Sequence, residues 1–353
     1  ELYGISIDKF RREQGEDQFC RDLIDFLQHD KIPPTKKRER RCVLREMDYF
    51  VKEDLLYNLW HPVRGAGMRL RLVVPESLQR TLITNIHAST LMHLGVEKVI
   101  EVLRERFIFM GVYPLTEKIV GSCRTCLLSK GRTRTLQPGP GLYEVADNPF
   151  ERCHIDFMGP LPPSCNGHRY ICICADSLSG FIIAWPQRTL EASALAENFH
   201  QRVVCTYGTV RILVCDNASN FRSELFQEVC KLLQVQLRYV TVYRPQGNGQ
   251  AEVSVKSITQ ALRCLQEGHK PRWHLYLADC TFALNNTTHA GHQLTPAQII
   301  FGRTLRLPID NILQQGTKKV RFQVITDIWR GQKEARTAAK TLLEGRNKKL
   351  TEK

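Results

Sequence analysis

The sequence predicts an α/β protein, with a mixed five-stranded sheet flanked by helices as its main domain. Three short apolar runs separated by turns begin near Phe150, and helical and strand-like stretches alternate after them. That succession is typical of a mixed sheet covered by helices. Upstream, two histidines and a Cys-x-x-Cys pair bracket a helical stretch, which predicts a metal-binding helical domain before the sheet.

The chain begins with a small α+β module, predicted over residues 1–74. Its stretch "DQFCRDLIDFLQ" has helical spacing, and "YFVKEDLLYNL" and "RLRLVVP" read as short strands. Residues 75–130 contain three helical stretches, "ESLQRTLITNIHAS", "VEKVIEVLRERF" and "TEKIVGSC". Residues 131–149 are rich in Gly, Pro and basic side chains and predict a linker.

The main domain is predicted over residues 150–315. Its strands are "RCHIDF", "RYICICAD", "FIIAWP", "VRILVC" and "VQLRYV", and its helices include "SELFQEVCKLL" and a long one from about residue 250 to 267. Residues 316–353 predict a basic helical tail. This tail has eleven Lys and Arg against four Asp and Glu, so it carries half of the formal net charge of +14.

This charge predicts a polyanionic partner, and nucleic acid fits better than a membrane surface because no basic amphipathic anchor stands out. No apolar run approaches the roughly 18 residues of a membrane span, and the N-terminus does not resemble a signal peptide. The chain lacks an initiator Met, so we expect it to be cut from a longer one. Most of the 13 cysteines lie in apolar or helical stretches, which indicates reduced thiols and a cytosolic or nuclear protein.

Four residues in the helical domain predict one structural zinc ion. Five residues separate His87 from His93, two separate Cys123 from Cys126, and 29 lie between the pairs. Two imidazoles and two thiolates form a closed tetrahedral set that leaves no position for chemistry. The alternative is a chance Cys-x-x-Cys in a cysteine-rich chain beside two surface histidines. The zinc interpretation is favoured because both pairs bracket one compact unit that is too small to bury much surface without a metal.

Three acids predict a second, catalytic metal site. Asp156 lies in the first strand of the main domain, Asp216 ends the fourth, and Glu252 lies at the start of the long helix, with 35 residues between it and Asp216. The first and fourth strands would be neighbours, so their tips would converge. Carboxylate ligands suit Mg²⁺ or Mn²⁺, and two such ions are the usual arrangement for phosphoryl transfer. The alternative for each acid alone is a turn or cap residue, the interpretation kept for Asp176 and Glu224.

A basic residue accompanies the third acid. Lys256 follows Glu252 by four residues, on the same face of the predicted helix. It would contact either Glu252 in an exposed ion pair or a nucleic-acid phosphate, and the second is favoured.

In their order, these motifs resemble the integrase of gypsy-type LTR retrotransposons and, more distantly, retroviral integrase. The matching stretches are the His-His-Cys-Cys set, "DFMGPLP", "CDNASNF", "YRPQGNGQAE" and, after the core, "FGRTLRLPID". The resemblance runs from about residue 20 to 350. The leading module resembles the N-terminal extension of these proteins, which are parts of polyproteins or of genes derived from them.

The resemblance implies an RNase H-like fold and a role for each candidate residue. Asp156, Asp216 and Glu252 match the D,D-35-E triad, and the zinc set matches the family's zinc domain. Lys256 matches a basic position that contacts element-end DNA, and Arg244 is assigned to DNA as well. The implied activity is trimming of the 3′ ends of element DNA and their joining to target DNA, without a covalent enzyme intermediate. Relatives work as multimers, so a dimer or tetramer is expected, in the nucleus after a cytoplasmic phase.

The chain departs from the family pattern at several positions. Met92 precedes the second histidine where Gly is usual, Ala218 stands where Gly is common, and Arg244 replaces a His. Ile108-Phe109-Met110 replaces Tyr-Trp-Pro, Val253-Ser254-Val255 replaces Arg-aromatic-Asn, and the chain stops before the family's C-terminal β-barrel.

Two other functions remain open at this stage. An RNase H-like nuclease would share the fold and the metals, but the zinc domain and the 35-residue spacing speak against it. A domesticated integrase-derived protein that binds DNA or chromatin without catalysis would keep the basic tail and its salt-dependent affinity.

Overall fold

The computed structural model divides into two compact units, residues Glu1–Leu127 with Arg306–Lys318 and residues Leu128–Leu305 with Lys319–Lys353. Within them, the structure describes residues 5–43, 45–60, 69–129, 146–239, 257–262, 272–288, 294–313, 336–341 and 343–344. The finer domain bounds predicted from the sequence are not tested by this division and stay a prediction.

The first unit begins with three helices and an antiparallel sheet. The helices are α1 (Ile7–Glu16), α2 (Gln18–His29) and α3 (Lys36–Val43), and the strands are β1 (Tyr49–Lys52), β2 (Leu55–Trp60) and β3 (Arg69–Val73). Asp17 caps α2 because its Oδ1 accepts a hydrogen bond from Cys20 N. Glu53 and Asp54 both have positive φ, at 53° and 59°, in the two-residue turn that joins β1 to β2.

A buried glutamine ties α1 to this sheet. Gln14 is fully buried, and its amide nitrogen donates to the carbonyl oxygens of Leu56 and Val73 at 3.2 and 2.7 Å. Its amide oxygen accepts from Leu56 N at 2.8 Å. A buried amide is stable here because backbone groups satisfy both of its polar atoms.

The zinc-set residues follow in a mainly helical stretch. It comprises α4 (Glu76–Asn85), a π-helical turn (Ile86–Thr90), α5 (Val96–Arg106), the two-residue strand β4 (Phe107–Ile108), α6 (Val112–Gly121) and α7 (Arg124–Ser129). β4 pairs in parallel with β3, so the helical stretch supplies the fourth strand of the preceding sheet. One apolar core therefore contains residues of both, such as Phe10, Leu55, Val99 and Leu103.

A distant segment completes the same unit. Leu307 and Ile309 are each 2% exposed within that core, at the start of the helix Pro308–Leu313. The Arg106 guanidinium forms an ion pair with the Asp310 carboxylate, and both side chains are largely buried. The second Asp310 oxygen also accepts from Leu307 N at 2.7 Å.

The second unit contains the predicted five-stranded mixed sheet. Its strands are β5 (Arg152–Met158), β6 (Tyr170–Asp176), β7 (Ile182–Gln187), β8 (Ile212–Cys215) and β9 (Gln236–Tyr239), in the order β7-β6-β5-β8-β9. β6 pairs antiparallel with both β5 and β7. β8 pairs in parallel with β5, and β9 pairs in parallel with β8. The predicted fold class is confirmed as an α/β protein with a five-stranded mixed sheet, preceded by a helical domain with the His-His-Cys-Cys set.

Helices cover this sheet. They are α8 (Ala192–Phe199), a π-helical turn (His200–Val204), α9 (Cys205–Tyr207), α10 (Glu224–Leu232), α11 (Trp273–Asn285) and α12 (Pro296–Phe301), and residues 257–262 and 336–341 are also helical. α11 packs on the edge strand β7, where the Asn285 amide exchanges two 2.8 Å hydrogen bonds with the backbone of Ile182. In the described tail, Ala339 and Leu343 pack against Leu178 and Ile299.

Free cysteines occur throughout the described residues. None of the cysteines there is in a disulfide, and most of them are buried. Burial raises the pKa of the Cys172 thiol, which keeps it neutral. No helix in the described ranges is both long and apolar enough to cross a membrane.

Candidate zinc and catalytic sites

The four predicted zinc ligands come together in the first unit. His87 lies in the π-helical turn after α4, and His93 follows it by one short loop. Cys123 directly precedes α7, and Cys126 lies in its first turn. The ligand atoms of all four side chains lie within 4.8 Å of one another, and no other group of three or more possible ligands occurs in the described residues.

The distances between these atoms fit a tetrahedral zinc site. His87 Nε2 lies 3.2 Å from His93 Nδ1, and Cys126 Sγ lies 3.3 and 3.6 Å from these two atoms. Cys123 Sγ lies 3.5 Å from His93 Nδ1. Bonds of about 2.05 Å to nitrogen and about 2.3 Å to sulfur place tetrahedral ligands about 3.3 Å (two nitrogens) or about 3.6 Å (nitrogen and sulfur) apart. The donor set therefore fits Zn²⁺ in both chemistry and spacing.

A backbone carbonyl orients the first histidine. His87 Nδ1 lies 3.1 Å from the Leu94 carbonyl oxygen, to which it donates when the proton is on Nδ1. That tautomer leaves Nε2 as the metal-binding nitrogen, an arrangement typical of zinc histidines. Burial raises the pKa of the Cys123 thiol, so a thiolate there requires the nearby positive charge of a metal.

The loop between the histidines has an unusual backbone. Met92 and His93 have φ of 45° and 62°, in the left-handed region that favours glycine. This explains why a Gly is expected before the second histidine, and why Met92 is a strained substitute. His93 N donates to the His87 carbonyl oxygen at 2.8 Å, so the loop closes on the first ligand.

The second site lies where the inner strands β5 and β8 end. Asp156 is in β5 and Asp216 directly follows β8, and we call these strand ends the acidic edge. The parallel register of the two strands pairs Arg152 with Ile212 and His154 with Val214. The pairing ends there, and extending the same register by two residues brings Asp216, which follows the last residue of β8, level with Asp156. In a parallel pair such residues point to the same face, opposite to the face that buries Ile155 and Leu213. β5 and β8 are therefore neighbours in the sheet, as predicted.

Both acids are half-buried and held by local backbone groups. Asp156 Oδ1 accepts from Phe157 N at 2.7 Å, and Asp216 Oδ1 accepts from Ala218 N at 3.0 Å. Each of these contacts uses one oxygen, and an ionised carboxylate has two oxygens with several acceptor positions. Ala218 is outside the left-handed region, so it replaces the usual Gly without strain.

The third predicted acid and both predicted DNA contacts, Glu252, Lys256 and Arg244, lie outside the described residues. The described part of the long helix, residues 257–262, lies against β5. Thr259 Oγ1 is 2.8 Å from the sulfur of Met158, which follows Asp156 by two residues on the same face of its strand. Residues 257–262 therefore contact β5 close to Asp156, and the position of Glu252 stays a prediction.

The two acids that the sequence analysis assigned to turns and caps are elsewhere. Asp176 is fully buried at the end of β6 and accepts hydrogen bonds from Phe150 N, Ser179 N and Ser179 Oγ. Burial raises the pKa of its carboxyl despite these donors. Glu224 is the first residue of α10, directly after the N-cap Ser223.

Two segments of the chain match known protein families. Residues 146–245 match the integrase core domain, and residues 74–132 match the integrase zinc binding domain. The two segments are therefore similar to the core and zinc-binding domains of integrases. The two matches cover the Asp156–Asp216 pair and all four zinc ligands respectively, so each site lies in the domain that the motifs predicted.

Retrotransposon polyproteins are similar to this chain. The Tf2-3 and Tf2-4 transposon polyproteins of Schizosaccharomyces pombe (strain 972 / ATCC 24843) are each 27% identical over 238 residues. These alignments cover 65% of the chain but only 18% of each polyprotein. The predicted resemblance to a retrotransposon integrase is confirmed.

Among solved structures, the catalytic core domain of BIV integrase is similar to part of the chain. That match has a TM-score of 0.36 and 21% sequence identity, and it covers 42% of this chain and 93% of the other.

The sequence analysis missed two features of the integrase sites. The Leu94 carbonyl that orients His87 is a backbone group, so no residue type marks it. Arg222 donates to the side-chain oxygen of Asn217, the residue that follows Asp216, at 2.6 Å. Its signal was only an Arg among the small polar residues that follow "VCDNASNF".

Proposed function

We propose that this integrase is a polynucleotidyl transferase that trims the 3′ ends of retrotransposon DNA and joins them to target DNA. The pairing of β5 with β8 supports the proposal, because its register, extended by two residues, brings Asp156 and Asp216 to the same level within a segment that matches an integrase core domain. A turn or cap role for each acid alone gives no reason for two carboxylates to share one face at the same level of a sheet.

The acidic edge fits two divalent cations, Mg²⁺ or Mn²⁺. Asp156 and Asp216 would hold them together with Glu252, because hard cations prefer carboxylate oxygens. When bound, such ions activate the attacking oxygen and stabilise the leaving oxygen in phosphoryl transfer. The half-burial of both acids suits this role, since water still reaches the carboxylates while the protein fixes their direction.

The protein's own residues would bind and orient the DNA. The formal charge of +14 supplies attraction to any duplex, and Lys256 and Arg244 are proposed to contact phosphates near the acids. The acids orient the reacting phosphate without forming a covalent intermediate. The zinc domain has a structural role only, because its four ligands complete a tetrahedron. A homodimer or tetramer acting on paired DNA ends, in the nucleus, completes the proposal.

A strand-transfer assay with Mg²⁺ or Mn²⁺ on labelled element-end duplexes tests this function. The wild type is expected to give joined products, and Asp216→Asn to give none while retaining its fold and zinc. Asp279→Asn is the matched control, because Asp279 is an exposed acid on α11 of the same unit. It should join DNA as the wild type does.

Two outcomes would contradict the proposal. Joining by Asp216→Asn at the wild-type rate would remove Asp216 from the chemistry. Salt-dependent binding of the duplex by the wild type, with no nicking or joining in either metal, would support a protein that only binds DNA.

A further inference from the structure

Arg222 is an exposed cation next to the acidic edge of the sheet. It lies in the turn between β8 and α10, six residues after Asp216. The turn is ordered by backbone hydrogen bonds from Phe221 N and Arg222 N to the Ala218 carbonyl oxygen, both 3.2 Å long. The backbone of Arg222 is therefore fixed relative to the end of β8.

Two neighbours orient its side chain. One guanidinium nitrogen donates to Asn217 Oδ1 at 2.6 Å, and Asn217 directly follows Asp216. The guanidinium carbon lies 5.3 Å from the centre of the Tyr239 ring, a cation–π distance. Tyr239 is itself held, because its hydroxyl donates to the Phe221 carbonyl oxygen at 3.0 Å and its backbone pairs with Cys215.

These contacts leave much of the guanidinium available. A guanidinium has five N–H donors in a planar fork, and the Asn217 oxygen accepts from one of its nitrogens. Both contacts found for Arg222 in the described part of the chain are uncharged, an amide oxygen and a ring. By contrast, the Arg211 guanidinium of the same unit pairs with the Glu151 carboxylate at 2.9 Å. Within the described residues, Arg222 thus has no carboxylate partner, and its guanidinium is held by Asn217, the residue that directly follows Asp216.

We propose that Arg222 binds a backbone phosphate of the DNA strand that lies at the Asp156–Asp216 edge, with Asn217 and Tyr239 as positioning residues. This inference rests on the proposed function, since it names a contact of the same site. The fork of Arg matches two phosphate oxygens, and orienting it in advance lowers the entropy lost on binding. The alternative is a purely structural role, a brace, in which the contacts of Arg222 with Asn217 and Tyr239 stabilise the turn and its positive charge does not contribute to DNA binding.

The salt dependence of DNA binding separates the two roles. Each phosphate contact adds about 0.9 to the slope of log affinity against log salt for duplex DNA. The full-length Arg222→Gln variant is therefore expected to lose about 0.9 of that slope, and to bind a short duplex about tenfold more weakly at low salt. Arg222→Lys keeps the charge and should keep the slope, with weaker binding because the fork is lost.

Arg202 offers a matched control in the same unit. It is exposed, and its guanidinium donates to Asn198 Oδ1 at 3.1 Å, much as Arg222 does to Asn217. It lies in the helical stretch that leads to the start of β8, away from the end that carries Asp216. Arg202→Gln should leave the slope nearer to that of the wild type than Arg222→Gln does.

The positioning residues have their own readout. Tyr239→Phe keeps the ring but removes the hydroxyl that fixes it to Phe221, so it should weaken binding without changing the slope. An equal loss of slope in Arg222→Gln and Arg202→Gln would overturn the inference. So would a lowered thermal midpoint in Arg222→Gln with an unchanged slope, which is the result expected of a brace. If the wild type itself failed to bind the duplex, the proposed function would fail first.

Discussion

The zinc site and the acidic edge differ in how the chain builds them. The zinc ligands come from two short stretches of one unit, and their loop includes two residues in the left-handed region. Of the two candidate acids in the described residues, Asp156 lies in β5 and Asp216 directly follows the paired strand β8, and each accepts a hydrogen bond from a nearby backbone N–H. The first geometry is local and needs a metal to hold it together, whereas the second is supplied by the sheet itself.

This difference predicts opposite responses to metal removal. The helical stretch of the first unit contributes one two-residue strand and part of an apolar core, so zinc is a large part of its stability. The acids of the second unit repel each other when no cation lies between them, yet their strands continue into a buried core. Losing the zinc should therefore unfold structure, and losing the catalytic ions should leave structure unchanged.

The largest effect is expected from removing a zinc ligand. Cys126→Ser takes away a thiolate whose sulfur lies 3.3 Å from His87 Nε2, so the site loses its tetrahedral set. Structural zinc contributes on the order of 10 kcal/mol in small domains, comparable to the whole stability of a typical unit. We expect bound zinc to fall from one ion per chain to none, and amides of residues 76–129 to lose protection from hydrogen exchange.

The control for this variant is Cys205→Ser, an exposed cysteine of the second unit that should change neither quantity. Strand residues such as Ile155 and Leu213 should stay protected in Cys126→Ser if the sheet stabilises its own site. Loss of protection there as well would mean that the two regions are not independent.

A smaller loss is expected from the ion pair that closes the first unit. Asp310→Ala leaves the Arg106 guanidinium largely buried, with Glu105 at 3.2 Å as its remaining acid, and should cost about 3 kcal/mol of unfolding free energy. Chemical denaturation of the first unit measures it. Asp8→Ala, which removes an exposed pair with Arg11, should cost less than about 1 kcal/mol.

A double-mutant cycle sharpens the same comparison. The double variant Arg106→Met with Asp310→Ala removes both charges, so it should lose less free energy of unfolding than the sum of the losses of the two single variants. Additive losses would show that the pair itself does not stabilise the unit and that the packing of Leu307 and Ile309 suffices.

Local patterns predicted the fold better than they predicted its long-range contacts. The strands of the second unit and the zinc set followed from period, spacing and residue type, since each is encoded within a short window. The pairing of β4 with β3 and the contact of Asp310 with Arg106 did not follow. They join segments far apart in the chain, and nothing in either segment identifies its partner. Glu252, Lys256 and Arg244 stay predictions from motif and spacing.

The second unit contains a fully buried carboxyl, that of Asp176. The pH dependence of the unfolding free energy tests how this carboxyl stabilises the unit. Asp176→Ala removes an acceptor of three hydrogen bonds and should cost about 2 kcal/mol at neutral pH. Burial raises the pKa of the Asp176 carboxyl in the folded state, so folding takes up a proton as the pH falls. The contribution of this carboxyl is therefore fully present below its unfolded pKa and is lost as the pH rises through the folded one.

The stability gap between wild type and Asp176→Ala should accordingly widen toward acid, as measured by denaturation of the second unit at several pH values. Asp279→Ala, which removes an exposed acid, is the control and should show no such trend. A gap that narrows toward acid would mean that the hydrogen bonds outweigh burial at Asp176.

The smallest expected effect concerns backbone strain, which both regions contain. Met92 beside the zinc ligands and Gln234 after α10 have φ of 45° and 57°, so Gly at either position should stabilise its unit by about 0.5–1 kcal/mol. Leu232→Gly, within α10, should destabilise by about 1 kcal/mol instead. Thermal midpoints check all three variants, and zinc affinity adds a second readout for Met92→Gly. If Met92→Gly raised the midpoint but weakened zinc binding, the strain at Met92 would be part of how the loop orients His93, and the zinc site would be preorganised by its backbone as the acidic edge is by its sheet.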